Sequence, residues 1–413
     1  MGYQQGLSGL SGASNALDVI GNNIANANTV GFKSSTAQFA DMYANSVATS
    51  TNTQIGIGTA LNAVEQNFGQ GTINSSSSSL DVAINGNGFF QMSNNGVTTY
   101  SRDGTFQRDK NGYIVDSQGR NLMGYAANAG GVINTAQTVP LQAPTTNISP
   151  TATTKISAQF NLNSQDTTPT KTPFSATDNT TYNYSTSIQV YDSLGGSQAV
   201  NMYFVKSAAG TWEAYAGVQG GATNDLGTVN FNSSGTIQST TTGTPPTPTT
   251  SVGQFQFTVP NTDGSATPQS LTLDLTGTTQ YGGKDGVNNL AQDGYASGTL
   301  TTYTIGTDGK LTGNYSNGQT AVLGQIALAN FNNPNGLVNL GGNQYAESAA
   351  SGVPQVSAPG STNHGTLQGS ALENSNVDLT SQLVNLITAQ RNYQANAQTI
   401  KTQQTVDQTL INL

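Results

Sequence analysis

Histidine occurs once in the chain, as His364, and its flanks Asn363 and Gly365 read as a loop, which favours a solvated linker residue over a catalytic base. With no cysteine, any nucleophile has to be serine or threonine, and both are too abundant for one to stand out. The 21 carboxylates are scattered through turns. A glycosidase needs two of them facing across a cleft, and nothing in the order of residues marks a pair. Gly86 and Gly88 form a GxG after a predicted strand, but no third glycine and no helical period follow, so a hairpin turn is the better reading than a dinucleotide site. Asp109, Asn111 and Gly112 hint at a calcium loop. There is no downstream glutamate at the required offset, and the carboxylates are too few for a cation that takes about six to eight oxygens. The sequence predicts no catalytic residue, no cofactor and no metal.

Composition narrows the partners. A length of 413 residues predicts two or three domains. Only 8% of residues are charged, and a net charge of −9 without clusters of Lys and Arg argues against nucleic acid or an anionic membrane. No apolar run approaches the ~18 residues of a membrane span. The start MGYQQGLSGL lacks the basic region and apolar core of a secretory signal. These facts alone suggest a soluble cytoplasmic protein without disulfides.

The strongest pattern lies at the two ends. From Leu379, a row at steps of three and four runs through Leu383, Leu386, Gln390, Tyr393, Ala397 and Ile400, then shifts by one position to Gln403, Val406, Leu410 and Leu413. Ser375, with Asp378 three residues later, reads as the start signal of this helix. A second row, Leu7, Leu10, Ser14, Leu17, Gly21 and Ile24 with Ile20 beside it, predicts a helix at the other end. There Gly6, Gly9 and Gly12 lower helix propensity but permit close approach. Neither helix carries the Glu and Lys pairs that support a free-standing helix, so each needs an apolar partner: the opposite end of the chain and further copies. The expected interface comprises Leu7, Leu10, Leu17, Ile20, Ile24, Leu379, Leu383, Leu386, Ile387, Ile400, Val406 and Leu410. Arg391 and Tyr393 sit beside it, either pairing between subunits or simply packing.

Leu17 to Lys33 reads LDVIGNNIANANTVGFK, and it resembles the N-terminal signature of bacterial flagellar axial proteins, the rod, hook and hook-associated subunits. The matching positions include Asn22, Asn23, Asn26, Asn28, Thr29, Gly31, Phe32 and Lys33. Ser375 to Gln404 resembles the partner signature at the other end, and Leu80 to Tyr125 a second shared block. Gly313 to Leu337 and the large middle insertion resemble the hook branch. The resemblance implies a non-enzymatic subunit that polymerises with itself into a flexible curved tube, a universal joint carrying motor torque from rod to filament. Implied partners are the rod, the hook cap, the hook–filament junction proteins and the type III export apparatus, through which the chain leaves the cell without a cleaved signal. A distal rod or hook-associated subunit is the alternative within the family, and a secreted β-rich adhesin the alternative outside it. The segment holding Phe39, Met42 and Tyr43, read as a short amphipathic turn or an extended arm, is implied as an export-recognition element, with core packing the competing reading.

The rest of the chain reads as strands. Leu80 to Met92 suggests strand, tight turn and strand around Asn85 to Gly88, and Tyr100 to Tyr125 suggests hairpins at Asp103-Gly104, Asn111-Gly112 and Gln118-Gly119. Ile156, Ala158, Phe160 and Leu162 alternate with polar residues, as do Val200, Met202 and Phe204, the period of half-buried strands. The expected class is α+β, mostly β: long terminal helices in a coiled-coil-like inner domain (1–70 and 366–413), a discontinuous β-rich middle domain (71–143 and 287–365) and, nested in it, a β-rich sandwich or barrel (144–286).

Overall fold

Apolar and small residues at helical spacing form one long helix at each end of a mostly β chain. Helix α1 spans Gly2–Ala25 and α2 spans Leu379–Ile411. The computed structural model describes residues 2–42, 56–128, 130–144, 146–243, 247–249 and 251–411. Tyr43 lies outside them.

The start of α2 is set by Asp378, not by Ser375. Asp378 Oδ1 accepts the amides of Thr380 at 2.9 Å and Ser381 at 3.2 Å, the Ser381 hydroxyl donates to Oδ2 at 3.0 Å, and the Asp378 carbonyl takes the first helical bond from Gln382. A carboxylate satisfies two orphan N–H groups and also faces the positive end of the helix dipole, which a serine hydroxyl does not. Ser375 instead accepts the Val377 amide in the extended lead-in.

The two helices meet through their smallest residues. Ala13 and Ala389 are buried, and a Cβ added to Gly9 would lie 2.7 Å from Asn396 Oδ1, one added to Gly6 3.0 Å from Ile400 Cγ1. Gly6 and Gly9, which weaken α1, are therefore what admit α2, whereas Gly12 faces Thr59 and Phe39. The large apolar rows meet only in part: Leu386 and Ile400 are half-buried, whereas Leu379, Leu383 and Ile387 face solvent.

After α1 the segment holding Phe39 and Met42 is extended, not turned, and forms part of a two-stranded ribbon. Strand β1, Ser35–Met42, pairs antiparallel with β2, Gly58–Gln66, from Ser35↔Gln66 to Met42↔Gly58.

The chain divides into two compact units. The first comprises Met1–Thr145, Thr301–Asn314 and Thr320–Leu413. Its β part has one core around Val82, Ile84, Phe90, Met92, Leu122 and Leu328 and a second, aromatic, around Phe89, Tyr100, Phe331 and Tyr345. Residues 82–94 do not form the expected hairpin. Strand Val82–Asn85 pairs with Thr366–Gly369, while Phe89–Asn94 pairs with Val97–Ser101. Val82, Ala83 and Ile84 are all fully buried, so this strand needs cover on both faces, which a neighbouring hairpin arm does not supply. Gly86 and Gly88, at φ +106° and +122°, redirect the chain between the two pairings. Asp103-Gly104 is no hairpin either: a Cβ on Gly104 would lie 1.7 Å from the Val82 carbonyl oxygen, where the backbones cross. The other two turns do join strands, Gln107–Arg108 to Ile114–Val115 and the latter to Asn121–Ala126. In the first, the suspected calcium ligand Asp109 is occupied in holding the turn, accepting the amides of Asn111 and Tyr113.

The second unit comprises Thr146–Leu300 and Tyr315–Gln319. Strand Lys155–Asn163 points Ile156, Ala158, Phe160 and Leu162 inward, and two sheets share one core with Phe204, Trp212, Phe257 and Leu273. The unit extends past residue 286 because Gly286–Gln292 pairs with Lys155–Asn163. That strand, GVNNLAQ, carries no apolar alternation by which sequence could assign it.

Candidate functional site: the clasp at the roots of the helices

Where α1 and α2 leave the β part of the first unit, polar side chains tie the two chain ends together. Lys33 is fully buried, and its ammonium donates to Glu373 Oε1 at 2.7 Å and to the Gly69 carbonyl at 2.8 Å. Arg102 donates from Nη1 to Glu373 Oε2 at 3.2 Å and from Nη2 to the Gly86 carbonyl at 2.8 Å. Glu373 Oε1 also accepts the Gly71 amide, and the Glu373 carbonyl accepts the amide of Gly31. One carboxylate thus collects two cations and a backbone donor in a site closed to water. Burial pushes the Lys33 ammonium below its ordinary range, with the adjacent Arg102 charge acting in the same direction and Glu373 opposing both. Burial likewise lowers Arg102 against the pull of Glu373. The Arg102 guanidinium lies 5.4 Å from the ring centre of Phe89, a contact that offsets part of its desolvation.

Asparagines flank this triad. Asn23, buried on α1, pairs with Ser35 in both directions, Nδ2 donating to the carbonyl at 2.7 Å and Oδ1 accepting the amide at 2.9 Å. Asn376 accepts the Ser34 amide at 2.8 Å and donates to the carbonyls of Asn67 and Gly69. Between them the chain turns at Gly31, φ +69°, where a Cβ would lie 2.6 Å from the Asp103 nitrogen.

The signature residues divide accordingly. Asn23, Gly31 and Lys33 are buried in the clasp. Asn26 and Thr29 close the turn after α1, Thr29 Oγ1 donating to Asn26 Oδ1 at 3.2 Å, and Phe32 is half-buried beside them. Asn22 and Asn28 are exposed. Of the expected interface residues, Leu10, Leu17, Ile20, Ile24, Leu386 and Ile400 are half-buried. Leu7 is 52% exposed, Leu379 47%, Leu383 45% and Ile387 51%, and Arg391, Tyr393 and Val406 are exposed as well. Leu410 lies within α2. Phe39 and Met42 are exposed on β1. Sequence reading missed Arg102, Glu373 and Asn376. The available signal was scarcity: in a chain only 8% charged, Glu373 follows the apolar Ala371 and Leu372.

A cavity of about 660 Å³ lies among α1, α2 and the ribbon, lined by Gly9, Ala13, Ala16, Phe39, Ala389 and others, none of them titratable. His364, half-buried, lies against the backbone carbonyls of Gln355 and Ser361 and pins a loop. Nothing in either place converges on a reacting atom.

Family models match in four stretches: the flagella basal body rod protein model over residues 4–33, the flagellar hook protein FlgE/F/G D1 domain over 83–159, the flagellar basal body protein FlaE D2 domain over 161–295 and the flagellar basal body rod FlgEFG C-terminal model over 368–413. The flagellar hook protein FlgE of Salmonella typhimurium is 42% identical over 424 residues and that of Escherichia coli 41% over 427, each alignment covering 100% of both chains. The crystal structure of Helicobacter pylori flagellar hook protein FlgE2 aligns at a TM-score of 0.49 and 15% identity, covering 73% of this chain and 100% of that one. With matched stretches at both ends and through the middle, and relatives aligned over their whole length, this chain belongs to the flagellar hook protein family.

Proposed function

We propose that the chain is the repeating subunit of the flagellar hook, a helical homopolymer that bends while transmitting torque from rod to filament. The observation that carries the reading is the row of large apolar side chains left uncovered on α1 and α2, Leu7, Leu379, Leu383 and Ile387, on helices that, among the described residues, touch each other largely through glycine, alanine and a few half-buried residues. Copies stacked side by side would cover that row, the helices forming a coiled-coil-like inner wall and the β-rich units lying outside it. The three-part division into inner helices, middle β domain and outer β domain belongs to this reading. Polar outer surfaces rich in Ser, Thr and Asn would exchange water-bridged contacts as neighbouring copies slide. The work is mechanical and needs no cofactor. Rod, hook cap and junction proteins would meet the ends of the tube. Phe39 and Met42, exposed on β1, remain the candidate export-recognition element together with Tyr43, and an extracellular location follows from export to the hook.

The test is Leu383→Asp, with Ile387→Asp as its companion. An aspartate there is solvated in the lone subunit and unpaired in the polymer contact, where burying it costs several kcal/mol, roughly 3 or more. The variant should keep the parent's circular dichroism and form no tubes under negative-stain microscopy. Tubes of normal length would remove the apolar row from the interface.

A further inference from the structure

We propose that Glu373 makes docking of the N-terminal segment conditional on the C-terminal strand, and that the dependence does not run the other way. The two partners are anchored unequally. Strand Ala371–Glu373 pairs with Ile73–Ser75, the Asn374 amide donates to the Thr72 carbonyl, the Ser76 amide to the Ser370 carbonyl, and Arg102 and Gly71 bind the Glu373 carboxylate. All of these contacts lie within the β part and none involves residues 1–35. The segment 31–34, by contrast, sends three of its donors to the C-terminal side: the Gly31 amide to the Glu373 carbonyl, the Lys33 ammonium to the Glu373 carboxylate and the Ser34 amide to Asn376.

Charge makes the asymmetry sharp. Lys33 and Arg102 are two buried cations sharing one buried anion. With Lys33 withdrawn, Arg102 and Glu373 remain a neutral pair and the strand stays in place. With the Glu373 charge withdrawn, two like charges would face each other away from water, and the one on the less anchored segment leaves. Lys33 can enter its site only after Glu373 is there, so the root of α1 seats last and reports that the far end of the chain has already folded. Neither chain end alone carries this information, because the three residues are separated by 69 and 271 positions, from 33 to 102 and from 102 to 373.

Hydrogen exchange followed by mass spectrometry on the full-length protein tests the asymmetry, with Trp212 fluorescence as an internal control for the second unit, where that side chain is buried. Glu373→Gln should speed exchange over residues 30–35 by about a hundredfold or more, the usual consequence of leaving a buried charge unpaired. Lys33→Met should leave residues 371–376 within about threefold of the parent. The double variant Lys33→Met/Glu373→Gln should win back at least about tenfold of the protection lost in Glu373→Gln, because one of the two opposed cations is gone. If Glu373→Gln does not accumulate as folded protein, the double variant should. Equal release of both segments by Lys33→Met, unaltered protection of 30–35 in Glu373→Gln, or a double variant no better than the single one overturns the proposal.

Discussion

Replacing Asn23 by alanine isolates one half of the clasp, and its cost can be worked from the geometry. Asn23 is 1% exposed and forms two hydrogen bonds with the backbone of Ser35, 2.7 Å from Nδ2 and 2.9 Å to Oδ1, the equivalent of one rung of a β-ladder between a helix and the strand that follows it. A third, longer contact reaches Gln382 Oε1 at 3.4 Å and contributes little. Alanine removes both bonds to Ser35 and strands that residue's N–H and C=O. A neutral hydrogen bond contributes about 1 kcal/mol net, and a partly buried group left without a partner adds to the loss, so the expected cost is roughly 2–3 kcal/mol. Ser35 is half-buried, so water reaches it in part and the fully buried penalty does not apply. At about 1.4 kcal/mol per decade, the opening that exposes β1 should become roughly 30- to 150-fold more frequent. Amide exchange at Ser35 and along Ser35–Met42 in the full-length protein reads this directly. Asn22→Ala is the control: that side chain is exposed one position away in the same signature, and its loss should change exchange by less than about twofold, the scale of a surface substitution. Equal effects of Asn22→Ala and Asn23→Ala, or an Asn23→Ala protein within threefold of the parent by the same exchange arithmetic, would refute the reasoning.

Two further perturbations probe the elements around the clasp. Gly31→Ala combines a left-handed backbone, φ +69°, with a Cβ placed 2.6 Å from the Asp103 nitrogen, so the urea midpoint should fall by the equivalent of more than about 1 kcal/mol; an unmoved midpoint would mean that the chain turns otherwise at Gly31. Asp378 is held below the ordinary aspartate value of 3.8 chiefly by the backbone and side chain of Ser381, against an opposing effect of desolvation, with a smaller contribution from the Thr380 amide. Its folded-state value lies below the unfolded one, so its contribution is complete above about pH 4 and is lost as pH falls through the depressed folded value. Exchange protection in the first turn of α2 should weaken over that acid range in the parent and lose this pH dependence in Asp378→Asn; identical acid profiles would remove Asp378 as the cap.

What was legible in the sequence was periodicity. The helical rows of α1 and α2 and the alternation of Ile156, Ala158, Phe160 and Leu162 carry their structure in local spacing, because side-chain direction repeats with the backbone. Pairing was less legible. Val82–Asn85 looks like the first arm of a hairpin, and its partner is Thr366–Gly369, 281 positions on from Asn85 to Thr366, because a strand buried on both faces takes cover from wherever the fold supplies it. Gly286–Gln292 joins the second unit by pairing with Lys155–Asn163 and by packing Leu290 against the core, with no apolar alternation along the strand to announce it.

From its sequence alone the chain is determined to have two terminal helices whose apolar rows need partners, β-rich units between them, and signatures resembling those of axial subunits. Only the tertiary structure decided that the helices meet through glycine and alanine, that Leu379, Leu383 and Ile387 are left uncovered in the single copy, and that Lys33, Arg102 and Glu373 converge. Helical and strand patterns are set by neighbours a few positions apart. A buried ion pair is set by which distant segments exclude water together, and no local run of residues encodes that.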